Sequence, residues 1–172
     1  MTCRERLEAY LQAQGVQYRV YEHPAAYTAQ AVAEREHIPN RLMAKVVIVV
    51  ADGELVMLAL PTSRRVDLAR VRDALDAREV RLATETEMAT AFPDCEVGAT
   101  PPFNAGYNMP LLVDRGLAEE PVIFFQAGSH SVAMSMAFAD YARLARPRLA
   151  DFAAEPRRLT TIREDVREPG GW

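Results

Sequence analysis

Two apolar runs, residues 43–51 and 54–60, are separated only by Asp52-Gly53, and this arrangement constrains the chain more than any other feature. Asp-Gly tolerates the positive φ angles of a two-residue turn, so it folds the runs back on each other as a β-hairpin. Both runs are apolar at nearly every position, not at alternate ones, which predicts a sheet covered on both faces. The rest of the chain must supply those covers. At 172 residues it is long enough for one domain with a substantial core and too short for two ordinary ones.

Local signals place the remaining elements. Thr2-Cys3-Arg4-Glu5 is a capping box that opens a helix with Leu7 and Leu11 on one face, stopping near Gly15. Residues 17–22 read as a strand, and a second helix starts at Thr28 and ends before Pro39. Asp67 caps a helix over 68–77, a strand follows at 79–83, and Thr84 to Glu87 is another capping box whose helix halts at Pro93. The glycine, proline and asparagine of 97–110 predict a loop. Residues 111–114, 122–127 and 131–138 read as strands. In the last, Val132, Met134, Met136 and Phe138 alternate with small residues, a half-buried pattern. Asp140 is expected to cap a closing helix ended by Pro147. The expectation is an α+β domain over residues 1–154 with a mixed, largely antiparallel β-sheet, followed by a polar, flexible tail over 155–172.

Composition narrows the class of function. Hydrophobic residues make up 49% and charged residues 26%, the balance of a soluble globular protein. The first residues show no signal-peptide apolar region, and no run is long enough to span a bilayer, so a cytoplasmic location without membrane contact is expected. Cys3 and Cys95 stand far apart and read as free thiols of a reducing compartment. A net charge of −4 argues against a DNA-binding protein, but it leaves room for a local patch that grips the end of an RNA strand. The arginines at 64, 65, 70, 72, 78, 81, 143, 146 and 148 read chiefly as solvated helix faces and ion pairs.

Of 20 basic residues 19 are arginine and one, Lys45, is lysine. Under such a bias a surface lysine drifts readily to arginine, yet Lys45 persists at the mouth of an apolar run. A compact ammonium is useful where a planar guanidinium does not fit. Chance survival at a strand end is the competing explanation. Two further features could carry chemistry. Gly98-Ala99-Thr100-Pro101-Pro102-Phe103 joins a glycine that allows close backbone approach to prolines that stiffen the loop. Its amides at Gly98, Ala99 and Thr100 could face a developing oxyanion. Ala127-Gly128-Ser129-His130 puts a histidine on a tight turn between strands. Taken singly, an ordinary connector and a surface turn explain these two segments as well. There is no nucleotide-binding glycine motif, no metal-ligand spacing among His23, His37 and His130, and no signature that pairs Cys95 with His130 as nucleophile and base.

In combination and order, these landmarks resemble the YbaK/prolyl-tRNA-synthetase-associated editing domain family over residues 4–153. They are Tyr21-Glu22-His23-Pro24 with Thr28, Ala44-Lys45-Val46-Val47 before Asp52-Gly53, Arg64-Arg65-Val66-Asp67-Leu68, Gly98 through Phe103, and Gly128-Ser129-His130 leading to Ala139-Asp140-Tyr141. The resemblance implies a barrel-like sheet surrounded by helices and hydrolysis of the ester of a mischarged aminoacyl-tRNA. It puts the family's lysine on Lys45 and its G-x-x-x-P loop on Gly98 to Pro102. No cofactor and no metal are expected. The expected partners are the acceptor end of an aminoacyl-tRNA and an aminoacyl-tRNA synthetase. Catalytic roles are expected for Lys45, Gly98 and Ala99. Substrate contacts are expected for Thr28, Met43, Thr100, Pro101, Pro102, Gly128 and His130. The chain's length implies action in trans, on tRNA(Pro) or a small-amino-acid tRNA. A non-catalytic module binding aminoacyl-tRNA or a synthetase, and a small-molecule esterase, are the alternatives.

Overall fold

The computed structural model describes residues 1–156, so the tail expectation for 157–172 lies outside the described residues. Helix α1 (Cys3–Ala13) begins at the expected capping box, with Thr2 accepting from the Glu5 N–H and Glu5 from the Thr2 N–H. It buries Leu7 and Leu11. Strand β1 (Tyr18–Glu22) and helix α2 (Ala29–Arg35) follow, then the apolar hairpin of β2 (Ala44–Ala51) and β3 (Glu54–Pro61). The hairpin pairs from Ala44 opposite Pro61 to Ala51 opposite Glu54, and Asp52 and Gly53 both have positive φ, as a two-residue primed turn requires.

The chain continues through β4 (Arg65–Val66), α3 (Leu68–Leu75), β5 (Val80–Leu82), α4 (Glu85–Ala91), β6 (Leu111–Asp114) and α5 (Arg115–Ala118). It closes with β7 (Val122–Ser129), β8 (Val132–Ala137), α6 (Phe138–Ala145), β9 (Arg148–Ala150) and β10 (Ala153–Ala154). Sequence reading missed β4, α5, β9 and β10, which are too short to carry a periodic pattern. The strands form a five-stranded sheet in the order β5-β2-β3-β6-β9, a three-stranded sheet β1-β8-β7 and the pair β10-β4. The fold is therefore α+β and mixed as expected, but the strands do not close into one barrel. The two larger sheets touch at a parallel bridge between Met43 and Phe124.

Both faces of the hairpin are covered. Ala44, Ile48, Met57 and Ala59 pack with Leu7, Leu11, Phe103, Phe125 and Tyr141 in one cluster. Val49, Ala51, Val56, Leu58 and Leu60 pack with Val71 of α3 and with Phe152 in another. A third and smaller cluster joins Ala26, Ala29, Val32 and Ala33 to Met43 and Ala133.

Three local expectations are corrected. Strand β8 is buried on both faces, because it runs between β1 and β7 and its small residues Ala133 and Ser135 lie inside the protein. Asp140 does not cap α6: the cap position is Ala137, which makes no side-chain bond, and Asp140 sits in the first turn paired with Arg143. There its charge favours the helix dipole without terminating the helix. The cysteines are not free, since Cys3 and Cys95 form a disulfide with Cα atoms 5.1 Å apart. The bond ties the start of α1 to the segment after α4, and the Cys3 N–H also donates to the Asp94 carbonyl.

Asp114, at the end of β6, holds several pieces together. It is buried, with one carboxylate oxygen accepting from the Phe152 and Ala153 N–H groups and the other from the Gly116 N–H. Asp114→Ala leaves three backbone donors without this partner, so chemical denaturation should show a loss of roughly 2–4 kcal/mol.

Candidate active site

The loop after α4 and the β7–β8 turn are built as one unit. Gly128 donates its N–H to the Ala99 carbonyl, and Glu96 donates its own to the Gly128 carbonyl. The Glu96 carboxylate accepts from the His130 N–H at 2.8 Å, and His130 Nε2 lies 2.9 Å from the Val97 carbonyl. Gly98 has φ +86°, and a methyl group added there would meet the His130 ring at 3.6 Å. Sequence reading missed Glu96, whose contacts are long-range and leave no local signature.

Behind this unit the proline loop is anchored in the core. Pro101 and Pro102 are buried, Phe103 stacks edge-on against Phe125 and Tyr141, and the Tyr141 hydroxyl donates to the Pro102 carbonyl at 2.7 Å. Tyr141 is fully buried, which pushes its pKa up and keeps the hydroxyl protonated as a donor. The front of the unit is more open. The exposed ring of Tyr27 leans on His130 at 5.1 Å, and the Ala26 N–H donates to the His130 carbonyl.

The amides of the loop are not equivalent. The Ala99 N–H donates to the Glu96 carbonyl, so in this conformation it cannot serve an oxyanion. The amides of Gly98 and Thr100 make no hydrogen bond among the described residues. Two of the expected substrate contacts have structural duties. The Thr28 hydroxyl caps α2 by accepting from the Ala31 N–H. Gly128 has φ +91°, and a Cβ there would lie 2.6 Å from Cys3 Sγ, so the position excludes a side chain for packing reasons.

Lys45 lies on β2 opposite Leu60, half-buried, and its pKa is lowered from the ordinary lysine value by desolvation alone. Among the described residues no carboxylate offsets the cost of burying this ammonium. Met43, fully buried two residues earlier, forms the parallel bridge to Phe124, whose N–H donates to the Leu42 carbonyl. The bridge brings the start of β2 to β7, the strand that runs on into Gly128 and His130. A grouping with metal-ligand potential occurs at Cys3, Asp94 and Cys95, but the disulfide occupies both sulfurs. The salt bridges of Arg64, Arg70, Arg81 and Arg143 follow the expectation of ion-paired surface arginines.

Known proteins share this construction. The aminoacyl-tRNA editing domain matches residues 23–144. The Multifunctional Ser/Thr-tRNA deacylase ProXp-y of Escherichia coli K12 is 29% identical over 153 residues, covering 86% of this chain and 91% of that protein. A proline–tRNA ligase of Acidithiobacillus ferrooxidans is 33% identical over 132 residues, covering 74% of this chain and 22% of the ligase. In the fold, a crystal structure described as a candidate trans-editing enzyme for prolyl tRNA synthetase superposes with a TM-score of 0.77 at 20% identity, covering 90% of this chain and 98% of the other. Because the editing-domain match spans residues 23–144, well over half of the chain, the chain belongs to the aminoacyl-tRNA editing domain family.

Proposed function

We propose that the chain acts in trans on mischarged tRNA, hydrolysing the ester that joins a small amino acid to the terminal adenosine of tRNA(Pro) or of a small-amino-acid tRNA. As a member of the editing family it is a hydrolase of aminoacyl-tRNA esters. Editing is needed because a synthetase separates small, similar side chains poorly by binding alone. The match along 91% of the Escherichia coli deacylase supports the trans reading, and the match to a proline–tRNA ligase supports tRNA(Pro) and a synthetase as partners. The enzyme works in the cytoplasm in this reading. Among the described residues no helix is long and apolar enough to cross a membrane.

One observation carries the mechanism: a desolvated ammonium with no carboxylate partner among the described residues, on a strand bridged to β7, whose turn is bonded to the loop that holds two amides without partners among those residues. Such groups suit an anionic or strongly polarised ligand. Water adds to the ester carbonyl, and the negative charge that develops on its oxygen is met by the Gly98 and Thr100 N–H groups. The tetrahedral intermediate collapses as the bond to the ribose oxygen breaks, and that oxygen leaves as a hydroxyl after taking up a proton. Lys45 holds the terminal-adenosine phosphate or the carbonyl oxygen by charge and is not a nucleophile. Met43 and the buried prolines form apolar walls, and His130 fixes the loop from the side of the turn. An aminoacyl ester is already activated, so positioning and charge stabilisation carry most of the work.

Lys45→Ala should lower kcat/KM for a mischarged tRNA about 100-fold while leaving the circular dichroism spectrum unchanged. Unaltered turnover would remove Lys45 from the mechanism. The lowered pKa gives a second check. The charged form is the working one, so activity falls as pH rises through that pKa. With spontaneous hydrolysis subtracted, the alkaline limb of kcat/KM should therefore lie below the ordinary lysine value of about 10.4. In Lys45→Arg any residual activity should lose that limb, since a guanidinium stays charged.

A further inference from the structure

Three buried side-chain nitrogens have no hydrogen-bond partner among the described residues: His23 Nε2, Gln126 Nε2 and His130 Nδ1. Such atoms are rare in folded proteins, because each bears the cost of leaving water with nothing in return. All three belong to the three-stranded sheet and its turn. His23 extends the β1 edge by donating its N–H to the Ser131 carbonyl, and His130 sits in the β7–β8 turn. The two histidines resemble each other chemically. His23 Nδ1 faces the Pro24 carbonyl at 2.8 Å and His130 Nε2 faces the Val97 carbonyl at 2.9 Å. A carbonyl only accepts, so in the neutral rings those nitrogens carry the hydrogen and the orphaned ones are lone-pair acceptors.

Gln126 is different, because its orphaned Nε2 is a donor and the residue is only 5% exposed. Its position follows from the bridge between the sheets. Met43 and Phe124 are paired in parallel, so two residues further along each chain strand alternation returns to the same face, at Lys45 and at Gln126. Across its own sheet Gln126 is paired with Ala133, which packs with Ala26, Ala29 and Met43. Gln126 thus stands opposite Ala133 and one step of strand alternation beyond the bridge, as Lys45 does on the other strand.

We propose that Gln126 reads the side-chain hydroxyl of the aminoacyl group, its Nε2–H donating to the hydroxyl oxygen, so that the site selects serine and threonine esters over alanine. The inference rests on the deacylase reading above and names the substrate class and the residue that selects it. Alanine leaves the buried donor unpaired, whereas a hydroxyl satisfies it, and sites built this way discriminate more strongly than apolar pockets do.

The test gives wild type and Gln126→Leu the seryl, threonyl and alanyl esters of one tRNA and measures kcat/KM for each, with a thermal melt of both proteins. The wild type should prefer the hydroxylated esters by about 10-fold or more, and the variant should lose that preference. The variant should melt no lower than wild type, since the substitution removes an unpaired donor and breaks no hydrogen bond. Gln126→Met is the second variant should the branch of leucine not be accommodated. A preference unchanged in the folded variant, or a wild type that prefers alanine, overturns the role of Gln126 alone. A wild type that hydrolyses none of the three esters overturns the deacylase reading itself.

Discussion

The two main sheets of this protein are joined by a parallel bridge, Met43 to Phe124, and the candidate site depends on it. One chain leads from the bridge into the apolar hairpin, the other into the turn that carries His130. A residue that is fully buried at the junction fixes both directions at once, and Met43 is such a residue. Two positions beyond it stands the chain's lone lysine, at a place where charge is expensive and no carboxylate among the described residues shares the cost. An uncompensated ammonium of this kind works against stability, which is a reason to assign it to function.

The opposite wall is held by polar contacts rather than by apolar area. Glu96 bonds through its N–H, its carbonyl and its carboxylate, reaching Gly128, Ala99 and His130 respectively. The disulfide from Cys3 lies against Gly128, so helix α1, the proline loop and the β7–β8 turn are fixed to one another. That rigidity matters to the proposed mechanism, which relies on backbone donors. Amides set in advance need not reorganise as charge builds on the substrate. The same stitching explains why the Ala99 amide is spent internally while its neighbours at Gly98 and Thr100 are not.

Much of this was legible in the sequence where the signal was local. The Asp52-Gly53 turn, the capping boxes at Thr2 and Thr84 and the cap at Asp67 are short-range chemistry, and each formed as read. The doubly covered hairpin followed from its lack of alternation. The features that escaped depend on partners distant in the chain. Cys3 meets Cys95 only because α1 packs against the turn, and the separation of 92 residues hides it. Asp140 looks like a cap by residue type, but the strand ends at Ala137 and α6 already begins at Phe138, so Asp140 falls within the first turn. Glu96 and Gln126 are ordinary residues in sequence, and only the bonds that one makes and the other lacks single them out. The lysine was visible through a compositional bias, whereas its strand neighbours across the junction were not.

The account stands on Lys45 and the free amides sharing one ligand. A non-hydrolysable aminoacyl adenosine, with an amide in place of the ester, can be titrated into isotope-labelled protein while the Gly98 and Thr100 amide signals and the Lys45 ammonium signal are followed by NMR. The account predicts that all three shift together with a single binding constant. Shifts confined to other surfaces, or movement of the loop amides without Lys45, would contradict it.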